Sequence, residues 1–375
     1  MLHTPFYDPE KTYEENFAQG PFGAFADGEV IKDYGGNASV PLPRYDFLGF
    51  KVNSLFGIAA GPLINGKFVK AALDKGFDIV TYKTVRSGKY PSHPWPNVLS
   101  VKVEGDLNID RPENALVADR NYQEPLSITN SFGVPSKDPE FWQKDMAEVV
   151  RYAESGQIVI GSFQGTKREG QTTEDYINDY KICAEMLKAT GVKIFEINLS
   201  CPNEGTSNFI CFDIEKSAKI TKLIKKTIGE IPLIVKIAYY KDFEALKDFV
   251  KEIGPMVQAI SPINGMNSAV VDESGKQALP GEGRSRSGIC GHAIKWAGLD
   301  MVKKLKKLRE ELGLSYTIIG VGGCTTADDF FEYRDAGADA VMSATGAMWN
   351  PYLAKEIKSR LSAEDSRLKS EERLG

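Results

Sequence analysis

From about residue 55 onward the chain alternates short apolar runs rich in β-branched residues with longer stretches of helical period, and this rhythm restricts the fold more than any other feature. A run–helix–run repeat builds parallel strands joined by crossover helices. The candidate strands are FGIAAG (56–61), DIVTYKT (78–84), IVIGSFQ (158–164), IFEINLS (194–200), LIVKIA (233–238), VQAISPI (257–263), TIIGVGG (317–323) and AVMSATG (340–346). Eight runs match the number of strands that closes a β/α barrel.

The intervening segments agree. DPEFWQKDMAEVVRYAES, TEDYINDYKICAEMLKATG, DIEKSAKITKLIKKTIG, KDFEALKDFVKEIG and WAGLDMVKKLKKLREELG place apolar residues at three- and four-residue steps beside charged faces. Several open on Asp or Thr and end on Gly, as helix caps require. The pattern predicts an α/β fold, a single-domain (β/α)8 barrel over residues 51–362. Residues 1–50, rich in Gly, Pro and aromatics, are expected to pack on the bottom or side of the barrel as an extension. Residues 85–130 form a long insertion after the second strand, broken by Pro91, Pro94 and Pro96, and the charged tail 363–375 is expected to fray.

Composition narrows the function. Lys and Arg number 46 against 51 Asp and Glu, so no basic excess is available for a nucleic-acid backbone. No run approaches the roughly 20 apolar residues of a membrane span, and the first residues lack the build of a leader peptide. A cytoplasmic protein is expected. Five cysteines without a C-x-x-C pair and three histidines argue against a disulfide framework and a metal site. Carbon chemistry then falls to a cofactor.

In a barrel of this kind the active site forms at the carboxyl ends of the strands. The residues there are Ala60 and Gly61, Lys83 and Thr84, Asn198 to Asn203, Lys236, Asn264, Gly322 and Gly323, and Thr345 with Gly346. Two lysines at the mouth imply a group that carries or develops negative charge, because buried cations left unmatched are costly. Glycines after the seventh strand and Thr-Gly after the eighth expose backbone N–H groups where phosphate binds. Singly, each feature has a plainer reading: a snorkelling lysine, a tight turn, an asparagine cap. Cys183, Cys211, Cys290 and Cys324 read most simply as core or turn residues; Cys201 stands apart by its context.

That context is Ile197-Asn198-Leu199-Ser200-Cys201-Pro202-Asn203, which resembles the signature of the dihydroorotate dehydrogenase family. Tyr82-Lys83-Thr84, Asn130-Ser131-Phe132-Gly133-Val134-Pro135, Val235-Lys236 and Ile319-Gly320-Val321-Gly322-Gly323 are similar to the family's second-strand lysine, substrate loop, flavin lysine and phosphate turn. Ser287-Gly288-Ile289-Cys290-Gly291 resembles a glycine turn ahead of its seventh helix region. The match runs in order from about residue 47 to 360.

The resemblance implies FMN-dependent oxidation of dihydroorotate to orotate, in pyrimidine biosynthesis, with Cys201 as general base and hydride transfer to the flavin. It implies substrate contacts from Lys83, Asn130, Phe132, Gly133, Val134, Asn198, Asn203, Asn264 and Gly265. It implies cofactor contacts from Ala59, Ala60, Gly61, Lys83, Thr84, Asn198, Lys236, Ile263, Gly291, Gly322, Gly323, Ala344 and Thr345. Cysteine as the base is similar to the soluble class, whose members work as homodimers or with a partner subunit, and pass electrons to a separate acceptor. The chain departs from the family at Gly265, where Ser or Thr is usual, and at Ala344, where glycine is usual. A dihydropyrimidine dehydrogenase-like enzyme and a non-catalytic barrel for a phosphorylated ligand are the competing readings.

Overall fold

The computed structural model of the chain describes residues 2–31, 45–109, 115–200 and 209–374, with side chains as far as residue 363. Every one of the eight runs forms a strand: β1 (Phe56–Ile58), β2 (Ile79–Val85), β3 (Ile158–Phe163), β4 (Ile194–Asn198), β5 (Leu233–Lys236), β6 (Ala259–Ser261), β7 (Thr317–Val321) and β8 (Ala340–Ser343). Each pairs in parallel with its neighbour in sequence, and β8 returns to β1 through Val341↔Phe56 and Met342↔Gly57. The fold is the expected (β/α)8 barrel.

Strands buried on both faces read as nearly continuous apolar runs, and every residue of β2 and β3 is buried. Ile79, Ile160, Ile194, Ile234, Ile319 and Met342 fill the barrel interior. Phe47 and Val52 join that cluster from an antiparallel hairpin, Tyr45–Phe47 with Phe50–Val52, which closes the amino end. The lower barrel is thus filled by apolar side chains, and the ligand space lies at the other end.

Around the strands lie α1 (Gly66–Asp74), α2 (Pro139–Tyr152), α3 (Thr173–Lys188), α4 (Ile214–Ile228), α5 (Phe243–Ile253), α6 (Lys295–Glu311), α7 (Ala327–Ala336) and α8 (Leu353–Leu374). Capping boxes start two of them: Thr172 with Asp175 on α3, and Thr326 with Asp329 on α7. Gly337, at φ 108, ends α7 in the left-handed region that glycine reaches without strain. The backbone of α8 runs on to Leu374, beyond residue 362 where a fraying tail is expected. Its Lys, Glu, Arg and Leu content favours helix.

Two segments differ from the sequence expectation. The 85–130 insertion contributes three strands, Val98–Val101, Leu116–Asp119 and Ser127–Asn130, which join Met266–Val271 and Arg286–Gly291 in a second, five-stranded closed sheet over the mouth. Residues 287–291, expected as a glycine turn, are therefore strand, with Gly288 opposite Asn130 and Gly291 opposite Ser127. Glycine is needed there for closeness: a Cβ on Gly291 would stand 2.3 Å from the Leu126 carbonyl oxygen. The first residues, in turn, reach the mouth and not only the bottom or side. The Phe6 N–H donates to the Met348 carbonyl (3.0 Å), and the Trp95 indole to that of Pro9 (3.0 Å).

Candidate active site

A cavity opens where the carboxyl ends of the strands meet the second sheet. Eighteen residues expected at the site line it: Ala59, Ala60, Gly61, Lys83, Thr84, Asn130, Phe132, Val134, Asn198, Lys236, Ile263, Asn264, Gly265, Gly291, Gly322, Gly323, Ala344 and Thr345. Gly133 is not on the lining itself. Its carbonyl is turned outward, accepting from Arg86 Nη2 at 3.4 Å. Cys201 and Asn203 lie outside the described residues.

Both lysines are buried at the mouth. The Lys236 ammonium donates to the Ala60 carbonyl at 3.3 Å, and its charge acts on Glu196, a fully buried carboxyl on β4. Burial raises the Glu196 pKa, while Lys236 and a hydrogen bond from Ser162 Oγ (2.9 Å) draw it back down. Ser162 Oγ also lies 3.0 Å from Thr84 Oγ1. With the Ser162 proton spent on Glu196, Thr84 donates to Ser162 and presents lone pairs to the cavity.

The amides are pre-set. Asn198 Nδ2 donates to Gln164 Oε1 (2.8 Å), and its Oδ1 accepts from Ser200 N–H (3.2 Å). Asn264 donates to the Ser200 carbonyl (3.2 Å) and accepts from the Gly265 N–H (2.9 Å). Asn130 Nδ2 donates to Cys290 Sγ at 3.2 Å.

Glycines shape one end of the cavity. Gly322 (φ 122) and Gly323 (φ 65) hold conformations that side chains resist, and a Cβ on them would meet Ile263 Cδ1 at 2.7 Å and the Gly291 carbonyl at 2.6 Å. Ala344, by contrast, has φ −119 and needs no glycine. This cradle of backbone, followed by Thr345, suits an anionic group, and the two lysines suit charge that develops further in.

Some lining residues escape a reading of the sequence. Tyr7 comes from the amino-terminal extension, and Val98 and Ile128 from the second sheet. Cys290 and Cys324, expected as plain core or turn residues, also reach the cavity wall. Burial pushes the Cys290 thiol up to about 11, partly offset by the Asn130 hydrogen bond, and raises Cys324 well above its usual value. Only Cys290 gave a signal, through its place in a segment of family resemblance.

A closed β/α barrel with amides, paired lysines and a glycine cradle at its carboxyl mouth defines a barrel enzyme whose chemistry sits at the strand ends. The family model for dihydroorotate dehydrogenase matches residues 117–364, and a dihydroorotate dehydrogenase of Dictyostelium discoideum is 34% identical over 363 residues, 94% of this chain and 96% of the relative. The chain belongs to the dihydroorotate dehydrogenase family, and is an oxidoreductase. Two further relatives, each named as the catalytic subunit of dihydroorotate dehydrogenase B (NAD(+)), are similar over shorter stretches. That of Staphylococcus carnosus is 31% identical over 194 residues (51% of this chain, 59% of the relative), and that of Desulforamulus reducens 28% over 240 (64% and 72%).

Proposed function

We propose that the chain oxidises dihydroorotate to orotate in pyrimidine biosynthesis, with FMN held at the barrel mouth and Cys201 as general base. The observation that carries this reading is the convergence of both lysines, three asparagines and the glycine turns on a single cavity. FMN fits the residues present: the Gly322–Gly323 cradle has no room for side chains, and Thr345 and Gly291 stand beside it. When bound, FMN would supply the hydride acceptor.

The chain's own groups do the rest. Lys236 would steady negative charge on the cofactor, and Lys83 would stand between cofactor and substrate. Asn130, Asn198, Asn264 and Asn203 would read the ring, since each amide offers a donor and an acceptor. Cys201 follows Ser200, whose carbonyl Asn264 holds, and its thiolate would take the C5 proton of the substrate as the C6 hydride leaves. A free thiol titrates near 8.5, so turnover should rise on the alkaline side of neutrality.

The near full-length similarity to the Dictyostelium enzyme supports the substrate. No helix among the described residues is long and apolar enough to cross a membrane. The same proposal takes the protein to be a cytoplasmic homodimer that passes electrons to a separate acceptor. Steady-state turnover of dihydroorotate against dihydrouracil, with fumarate, NAD, quinone and oxygen in turn, tests it. The reading expects dihydroorotate alone to be oxidised; preference for dihydrouracil, or a purified protein without a flavin absorption band, contradicts it.

A further inference from the structure

The second sheet turns one face to the cavity. In Arg286–Gly291 and its antiparallel partner Ser127–Asn130, Gly288 stands opposite Asn130 and Cys290 opposite Ile128, and all four line the cavity. Ile289 and Thr129, one step along each strand, are wholly buried on the other face. Of the four lining residues, Asn130 and Cys290 carry polar side-chain atoms, and the proposed mechanism uses only the first. Space is cleared round the sulfur: Gly265 and Gly288 carry no side chain, and a Cβ on Gly265 would stand 2.9 Å from Cys290 Sγ.

Asn130 Nδ2 donates to that sulfur at 3.2 Å, and the bond fixes what each group has left to offer. It holds the amide with nitrogen toward the thiol, and no donor among the described residues reaches Asn130 Oδ1, which is free to accept. The sulfur uses a lone pair in this bond and keeps its proton for another partner. Cys183 and Cys324 give their thiol protons to the carbonyls of Val85 (3.8 Å) and Thr326 (3.9 Å), whereas no acceptor among the described residues takes that of Cys290. Those two cysteines and Cys211 are buried; Cys290 is partly exposed, on the cavity wall. The proton is present at neutral pH, since burial pushes the thiol up to about 11, with Asn130 and Lys236 offsetting it only in part.

We infer that Cys290 is a substrate-contacting residue whose S–H, beside Asn130 Oδ1, forms a donor–acceptor pair that reads a substrate oxygen and the ring N–H next to it. The inference rests on the function proposed above and adds a residue to it: dihydroorotate and orotate both carry oxygens beside a ring N–H. The role differs from that of the general base, because a thiol that keeps its proton donates a hydrogen bond and removes no proton.

Titration of the flavin-loaded protein with orotate, read by the cofactor's absorption, tests it together with infrared difference spectra in the S–H stretching region. Cys290→Ala should weaken orotate by about two- to tenfold, the loss expected for one hydrogen bond. Cys290→Ser, whose hydroxyl is the stronger donor, should bind orotate at least as tightly as the native chain. Gly265→Ser in the Cys290→Ala background sends a hydroxyl from the other side into the space the sulfur leaves, and should recover affinity, which a thiol needed only for packing would not predict. In the native chain orotate should shift an S–H band that Cys290→Ala lacks. Unchanged affinity in Cys290→Ala, no recovery by either hydroxyl, or an S–H band indifferent to orotate overturns the inference. A native chain that binds no orotate would overturn the proposed function, and the thiol contact with it.

Discussion

Gly265 stands where the family usually has a hydroxyl, and the structure gives the reason. An ideal Cβ at this position lies 2.9 Å from Cys290 Sγ and 3.2 Å from both Gly288 Cα and the Ile289 carbonyl oxygen. Gly265→Ser must therefore displace the thiol, and with it the Asn130 amide bonded to that sulfur. Overpacking of this kind costs about 1–3 kcal/mol, and the strand backbone behind the sulfur offers little relief. Removing the sulfur in Cys290→Ala leaves only the two 3.2 Å contacts, so the same substitution should then cost less than about 1 kcal/mol by local adjustment. A double-mutant cycle on chemical unfolding, with the Michaelis constant measured in parallel, should show a favourable coupling of about 1–2 kcal/mol between the positions. Additive effects, or Gly265→Ser as stable and active as the native chain, would refute the reasoning.

Three other outcomes are expected. Lys358 Nζ lies 2.8 Å from Asp78 Oδ2 in the barrel's sealed end, so Lys358→Met, which strands a buried carboxyl, should lower stability by about 3–5 kcal/mol in denaturant titration; a loss within error of zero would contradict the pairing. Burial and two arginines hold the His93 pKa below its usual value, so the unfolded chain binds the extra proton first and stability should fall as pH drops below about 6.5. His93→Asn should flatten that acid limb of the melting temperature, and an unchanged slope would discount it. Lys236→Met removes the cation beside Glu196 and should cut the flavin retained per chain; full retention would remove Lys236 from the cofactor site.

The barrel was legible because its strands are buried on both faces and open on β-branched apolar runs, as in IVTYKTV and IVIGSF, with polar residues lying toward their carboxyl ends. The second sheet was not. Sequences such as LVAD and RSGICG mix polar and small residues with single core side chains, Ala118 and Ile289, so they write no continuous apolar run. The cradle and both lysines were readable from their place at the carboxyl ends of strands, which fixes where a side chain emerges. Arg86, Arg284 and Glu196 were not, because a charged residue reads as solvated until tertiary contacts bury it. Tyr7 was hidden for another reason: nothing local in the extension says which end of the barrel it reaches.

The most direct test of the central claim is anaerobic mixing of the purified, flavin-loaded protein with dihydroorotate, following the cofactor's visible absorption in a single turnover. The account predicts rapid bleaching in the native chain and, near neutral pH, bleaching slowed by orders of magnitude in Cys201→Ala, with flavin content unchanged. Bleaching at equal rates in both, or none in either, would contradict it.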